Sequence, residues 1–167
     1  MANTFFIGDT HFGHKNIIRF DKIKEHRRFE TIEEHDAELV RRWNSVVRPK
    51  DIVWHLGDFC FGRKSLEVAG FLNGDKRLVM GNHDRYPTVE YLRYFSKVLG
   101  AVEVKGMILT HIPVHVSQLD CGRYTHNIHG HLHTYVLADE RYINVSAEQV
   151  NLTPISLDEL NKLANTM

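Results

Sequence analysis

The sequence predicts an α/β fold, with helices layered on central sheets, and three observations predict it. Short β-branched and aromatic runs alternate with helical patterns through the first half of the chain. The second half is mostly strand, and strand after strand stops at a cluster of Asp, Asn or His. Taken in order, Phe5-Phe6-Ile7 centres a strand over 3–7 that runs out at Gly8-Asp9-Thr10-His11. A helix over 32–47 carries Leu39, Val40, Trp43, Val46 and Val47 on one stripe, and Thr31 with Glu34 predicts a capping box at its start. The apolar stretch 51–56 is a strand ending at Gly57-Asp58, followed by a weaker helix over 65–72. A third strand over 76–80 ends at Gly81-Asn82-His83-Asp84, and a short helix over 88–95 follows it. Further strands over 102–104, 107–109, 127–130 and 142–145 bring His111 and then Gly130-His131-Leu132-His133 to strand ends. Ser156 and Glu159 cap a last helix reaching about residue 164. No repeat, low-complexity tract or linker interrupts this order, so residues 1–167 are expected to form one domain.

Composition excludes several classes. With 167 residues and 43% hydrophobic content the chain is long enough to bury a sizeable core. Lys plus Arg, at 21, equal Asp plus Glu, at 21, so no overall field draws it to nucleic acid or an anionic membrane. Cys60 and Cys121 form neither a disulfide framework nor a Cys-x-x-Cys pair. No apolar run approaches the ~20 residues of a membrane helix, and the expectation is a soluble, cytoplasmic protein. Histidine is the outlier, with 12 residues in clusters. Ligands of open α/β sheets gather beyond the carboxyl ends of strands, so these distant clusters are expected to converge. Each alone could be an ordinary polar loop; their joint order argues for a metal site.

The motifs GDTH, GD, GNHD, TH and GHLH occur in an order that resembles the calcineurin-like metallophosphoesterase superfamily. Gly-Asp alone has almost no specificity, whereas Gly-Asn-His-Asp between Asp-x-His and Gly-His-x-His is specific. The resemblance implies a four-layer α/β/β/α sandwich of two mixed sheets flanked by helices, with the metal site at the strand ends. It implies one metal on Asp9, His11, Asp58 and His133, and a second on Asp58, Asn82, His111 and His131. Asp58 would bridge, since a carboxylate offers two oxygens. Imidazole mixed with carboxylate favours two divalent transition metal ions, manganese foremost and iron, zinc, nickel or cobalt as alternatives, over calcium or magnesium. His83 would be the catalytic histidine, Asp84 would support it, and Asn82, His83 and His14 would contact substrate. The implied reaction is hydrolysis of a phosphodiester, and of phosphomonoesters as a further class, by a dimetal-bridging hydroxide. The expected partner is a small phosphoester or nucleotide. A nuclease with the same metals is the alternative, but it should show a basic track with stacking aromatics. A non-catalytic metal-binding interaction scaffold is the other, but such a protein should have lost ligands that are present here.

Other residues receive plainer readings. His14 is divided between phosphate contact and a structural hydrogen bond. Asn127, His129, His131 and His133 alternate, which in an extended chain would aim all four at one face and put His129 behind the metals in a buried supporting role. His55, inside Ile-Val-Trp-His-Leu, reads as a core histidine. His26, Arg27 and Arg28 read as a solvated charge run, and Arg63, Lys64 and Arg85 as surface residues near phosphate. Tyr91, Tyr94 and Phe95 are assigned to core or interface. The glycines at 8, 57, 81 and 130 are expected to permit tight turns. Segments 16–30 and 114–126 flank the site and carry no motif that selects a substrate.

Overall fold

Consecutive buried side chains explain how the first sheet is covered. In the computed structural model, which describes residues 2–166, the strands β1 (Thr4–Ile7) and β2 (Ile52–His55) bury Phe5, Phe6 and Ile7 and then Val53, Trp54 and His55 without a break. Successive strand side chains point to opposite faces, so both faces of this sheet are packed. It continues through β3 (Asp75–Val79) and β4 (Lys97–Leu99), all parallel, while β9 (Ile155–Ser156) joins antiparallel to β1; the order is β4-β3-β2-β1-β9. The second sheet runs β5-β6-β7-β8, where β5 (Val102–Val104) and β6 (Met107–Leu109) are antiparallel and β7 (Asn127–His129) and β8 (Tyr142–Asn144) extend it in parallel.

Alternation along the second sheet assigns the layers. Met107, Leu109, Ile128 and Ile143 join the large core shared with the first sheet, while Ile108 and Tyr142 pack outward against Leu119. Leu119 belongs to α3 (Ser117–Asp120), which with its flanking loop is the outer cover of that face. On the other side α1 (Ile32–Val46) contributes Leu39 and Trp43, and α4 (Leu157–Thr166) contributes Leu160. The result is the expected four-layer arrangement of two mixed sheets with flanking helices.

Local chemistry fixes the helix ends. Thr31 accepts from the Glu34 N–H at 3.2 Å and Glu34 accepts from the Thr31 N–H at 3.4 Å, completing the capping box; Ser156 and Glu159 do the same for α4. Leu66, Ala69 and Leu72 are buried at a spacing of three, and 63–71 is accordingly a 3₁₀ helix rather than the α-helix expected over 65–72. The helix expected over 88–95 is shortened to α2 (Thr88–Tyr91), with Phe95 N–H still bonded to Tyr91. Val46, placed on the apolar stripe by its spacing, is exposed where α1 ends. The edges of the two sheets are joined at the functional end: Gly8 donates to Val145 at 2.8 Å and accepts from Ala147 at 2.9 Å. That pairing brings the loops after β1, β2, β3, β6 and β7 together.

Candidate metal centre

The ligand-bearing turns have a shared backbone signature. Among the described residues eight non-glycine positions have positive φ, and five of them are Asp9 (55°), His11 (51°), Asp58 (54°), His131 (68°) and His133 (49°). A Cβ in this left-handed region costs about 1–2 kcal/mol. Residues held this way persist only where surrounding contacts dictate them, and they concentrate at functional sites. Here the contacts are backbone bonds between turns: Asp9 N–H to Gly57 at 2.9 Å, His11 N–H to Asp58 at 3.0 Å, and Phe12 N–H to Phe59 at 3.0 Å. The glycines serve close approach more than turning. A Cβ on Gly81 would lie 2.3 Å from Asp58 Oδ1, and one on Gly130 would lie 2.4 Å from Asp9 Oδ2; of the four glycines expected to permit turns, only Gly57 has positive φ, at 89°.

Two groups of donors result, Asp9 with His11 and His133, and Asp58 with His111 and His131. In the first, His11 Nε2 and His133 Nε2 stand 4.0 and 3.9 Å from Asp9 Oδ1. In the second, His111 Nε2 lies 3.4 Å from Asp58 Oδ2, 3.2 Å from His131 Nδ1 and 3.0 Å from Asn82 Oδ1. Asp58 Oδ2 also lies 3.7 Å from His11 Nε2, so one oxygen faces both groups. The other oxygen of each aspartate is held by a backbone N–H: Asp58 Oδ1 by His83 at 2.8 Å, Asp9 Oδ2 by His131 at 2.9 Å.

The donor set fits divalent metal. Asp9 Oδ1 and both ring nitrogens of His11 are buried without a hydrogen-bond partner, and a cation would complete the carboxylate oxygen and the imidazole lone pair. Ligand atoms sharing a tetrahedral cation with bonds of about 2.1 Å sit about 3.4 Å apart, near the spacings seen here. Electrostatics agrees: burial pushes the Asp9 carboxyl up to about 6. Burial opposes charge on His111 too, yet the adjacent Asp58 carboxylate overrides it and lifts the imidazole to about 9. A cluster rich in acceptors is asking for positive charge. Asp58 itself, despite burial, is held well below the usual carboxylate range by His111 and the His83 N–H.

Supporting residues fix the histidine tautomers. Leu56 carbonyl, 2.8 Å from His111 Nδ1, requires a proton there, so that Nε2 is the nitrogen a bound cation would take in place of its proton. Glu148 Oε1, 3.1 Å from His133 Nδ1, does the same for His133. Glu148 is buried and also accepts from Arg27 Nε at 2.7 Å. Arg27 is therefore no part of a solvated run, as its neighbours suggest. It is fully buried, donates to the Asp9 carbonyl and, at 2.9 Å, to the Thr10 carbonyl, and meets His35 Nε2 at 2.9 Å. Because arginine only donates, His35 Nε2 accepts and its Nδ1 donates to Asp36 at 2.8 Å; Asp36 in turn receives the Gly13 N–H at 2.8 Å. The first turn of α1 thus braces the first ligand loop.

His83 stands beside both groups, its ring 5.6 Å from that of His11, and belongs to neither. Asp84 is buried, and its carboxylate accepts from the backbone of Asp58 (2.7 Å), Gly81 (2.9 Å) and Phe59 (3.1 Å). Its support of His83 is thus through the loop backbone, not through the imidazole. His14 stacks on Phe61 with ring centres 4.4 Å apart. His55 is a core residue, bonded to Thr10 Oγ1 at 2.9 Å. His129 is buried with Nδ1 2.8 Å from the Gly130 carbonyl; left-handed backbone at His131 ends the alternation that extended geometry would impose. Glu148 escaped sequence reasoning because no motif surrounds it.

Sandwich and donors together define a metalloprotein class in which two ligand groups meet at one aspartate on the edge of paired sheets. Residues 2–163 match the family model for calcineurin-like phosphoesterases, and the chain belongs to that family of metal-dependent hydrolases. It is 34% identical to the uncharacterized protein MJ1445 of Methanocaldococcus jannaschii, an alignment covering 98% of this chain and 92% of that protein. It is 28% identical to the gene 66 protein of Mycobacterium phage L5, covering 99% and 95%. Among solved structures, AQ665 of Aquifex aeolicus, of unknown function, superposes with TM-score 0.75 at 29% identity over 98% of this chain and 100% of that one. An archaeal phosphodiesterase shares the fold at TM-score 0.50 and 19% identity, over 87% and 82%. No helix among the described residues is long and apolar enough to cross a membrane.

Proposed function

We propose that this protein hydrolyses phosphodiesters with two divalent transition metal ions, manganese foremost, held by Asp9, His11, Asp58 and His133 and by Asp58, Asn82, His111 and His131. The observation that carries this reading is Asp58 Oδ2, within 3.4 Å of His111 Nε2 and 3.7 Å of His11 Nε2. Bound there, the ions would supply Lewis acidity toward phosphoryl oxygens and bring the pKa of a water near neutrality. The chain's own residues do the rest. Glu148 and the Leu56 carbonyl hold the Nδ1 protons of His133 and His111, so that Nε2 would face the ions. Asn82, His83 and, at the rim, His14 contact the phosphate. In an in-line displacement the bond from phosphorus to the departing ester oxygen breaks as the bond to water oxygen forms. His83 delivers a proton to the departing oxygen or bears charge on the phosphoryl group. A structural likeness to an archaeal phosphodiesterase is in keeping with a diester substrate. Unpaired Cys60 and Cys121 are in keeping with the reducing cytoplasm.

The test is metal removal. Chelated protein should lose hydrolysis of bis(p-nitrophenyl) phosphate and recover it with manganese. Full activity in metal-free protein would overturn the reading.

A further inference from the structure

We propose that Phe61, backed by His14, is a stacking subsite for a nucleobase, so that the preferred diesters are those of mononucleotides rather than of simple alcohols. This deepens the phosphoesterase reading and rests on it. Phe61 is 48% exposed and Phe20 45%, unusual for rings packed beside buried ligands. Exposed phenylalanines are common singly. These are joined in a chain of ring contacts that begins in the first ligand group. His11 lies 5.4 Å from His14, His14 stacks on Phe61 at 4.4 Å and 17°, and Phe20 meets the edge of His14 at 5.8 Å.

The ring is held on rigid backbone. Phe61 N–H donates to the Phe12 carbonyl at 2.8 Å, and Phe12 N–H to Phe59, so the segment following Asp58 pairs with the segment following His11 like a continued strand. Such a surface is ready before ligand arrives, which spares the ordering cost of binding. On the side of His83, whose ring centre is 5.9 Å from that of Phe61, a cavity of about 240 Å³ is lined by Cys60, Phe61, Gly62, His83, Arg85 and Tyr86. Pockets for drug-sized ligands span about 300–1,000 Å³, so this one suits a single ring system. Its wall combines an aromatic face with a cation. Arg85 is exposed there, its Nε fixed on the Asn82 carbonyl at 2.9 Å. A base presents a π face to the first and edge acceptors to the second; an alkyl group would use neither. With 21 basic and 21 acidic residues no overall field draws in a polyanion, which favours a mononucleotide ester over a nucleic acid chain.

Two substrates sharing one leaving group test this: the p-nitrophenyl ester of thymidine 5′-phosphate and methyl p-nitrophenyl phosphate. Base stacking on an aromatic side chain is worth roughly 5- to 150-fold. With manganese present, kcat/KM for the thymidine ester should exceed that for the methyl ester by about tenfold or more. Phe61→Ala should bring the ratio near one, and Phe61→Trp should restore most of it. A wild-type ratio near one, or a ratio that Phe61→Ala leaves intact, would overturn the subsite. Tighter turnover of a single-stranded oligonucleotide than of the thymidine ester would overturn the mononucleotide assignment. Inactivity toward every ester would defeat the phosphoesterase reading instead. The subsite would then be decided by calorimetric titration, in which AMP should bind more tightly than ribose 5-phosphate and lose that advantage in Phe61→Ala.

Discussion

The two ligand groups are built from the same residue types but braced differently. Asp9, His11 and His133 rest on a side-chain scaffold, buried Arg27, Glu148 and His35 with half-buried Asp36, none of which lies on a ligand turn. Asp58, Asn82, His111 and His131 are braced chiefly by backbone, through the Leu56 carbonyl, the His83 N–H and the Asp84 staple. Asn82 is exposed, and His131 only partly covered. A candidate metal position can thus be fixed either by ion pairs arriving from elsewhere in the chain or by the geometry of the strand ends themselves. Disturbing the first kind should be local to one group.

Asp58→Asn is expected to have the largest effect, because its oxygen faces both groups. Metal content and turnover should fall together, turnover by about 10³-fold or more, on the scale of losing a principal transition-state interaction. Loss of one ion with the other kept at full affinity would show the groups to be independent. His83→Ala should lower kcat by about 10²–10⁴-fold while metal titration stays near wild type, since His83 belongs to neither group. His131→Ala, by contrast, should weaken metal binding; equal metal loss in both variants would make His83 a ligand or support.

Glu148→Gln should weaken binding at the first group by about 10–100-fold and leave the second nearly untouched, read by metal titration of the two sites. Arg27→Met strands the buried Glu148 charge, and a loss of about 3–5 kcal/mol in denaturant unfolding is expected. The last effect is confined to acid pH and concerns His55, behind the first ligand loop, which burial holds down to about 3. Its folded pKa lies below its unfolded value of 6.5, so the unfolded state binds the extra proton. Stability is therefore fully present above pH 6.5 and declines as pH falls toward 3, by up to about 1.4 kcal/mol per pH unit. Urea midpoints for His55→Gln should show a correspondingly shallower fall; an identical slope would mean that His55 is already protonated in the native protein.

Sequence made the strand ends legible because the ligand motifs are local and apolar runs precede them. Both capping boxes were legible for the same reason, each spanning four residues. Arg27 was not, since its partner Glu148 lies 121 positions away and its neighbours His26 and Arg28 are exposed. The strand β9 and the helix α3, two and four residues long, are too short for a periodic signal, and β4, no shorter than β5 or β6, offers only Val98-Leu99 after an exposed Lys97; all three take their form from neighbours already in place. Asp84 shares a motif with His83, yet these adjacent residues of one turn have different tasks: one lines the cavity, the other bonds the backbone that joins two loops.

Left-handed backbone at five donor positions sets selection for stability against selection for chemistry. Glycine adopts that conformation without the Cβ clash, so a library selected on thermal resistance alone, in the presence of chelator, should drift toward glycine at half-buried members such as His131. Each such gain, about 1 kcal/mol, would be made by deleting a donor. The sturdiest descendants of this chain should be those that can no longer hold metal.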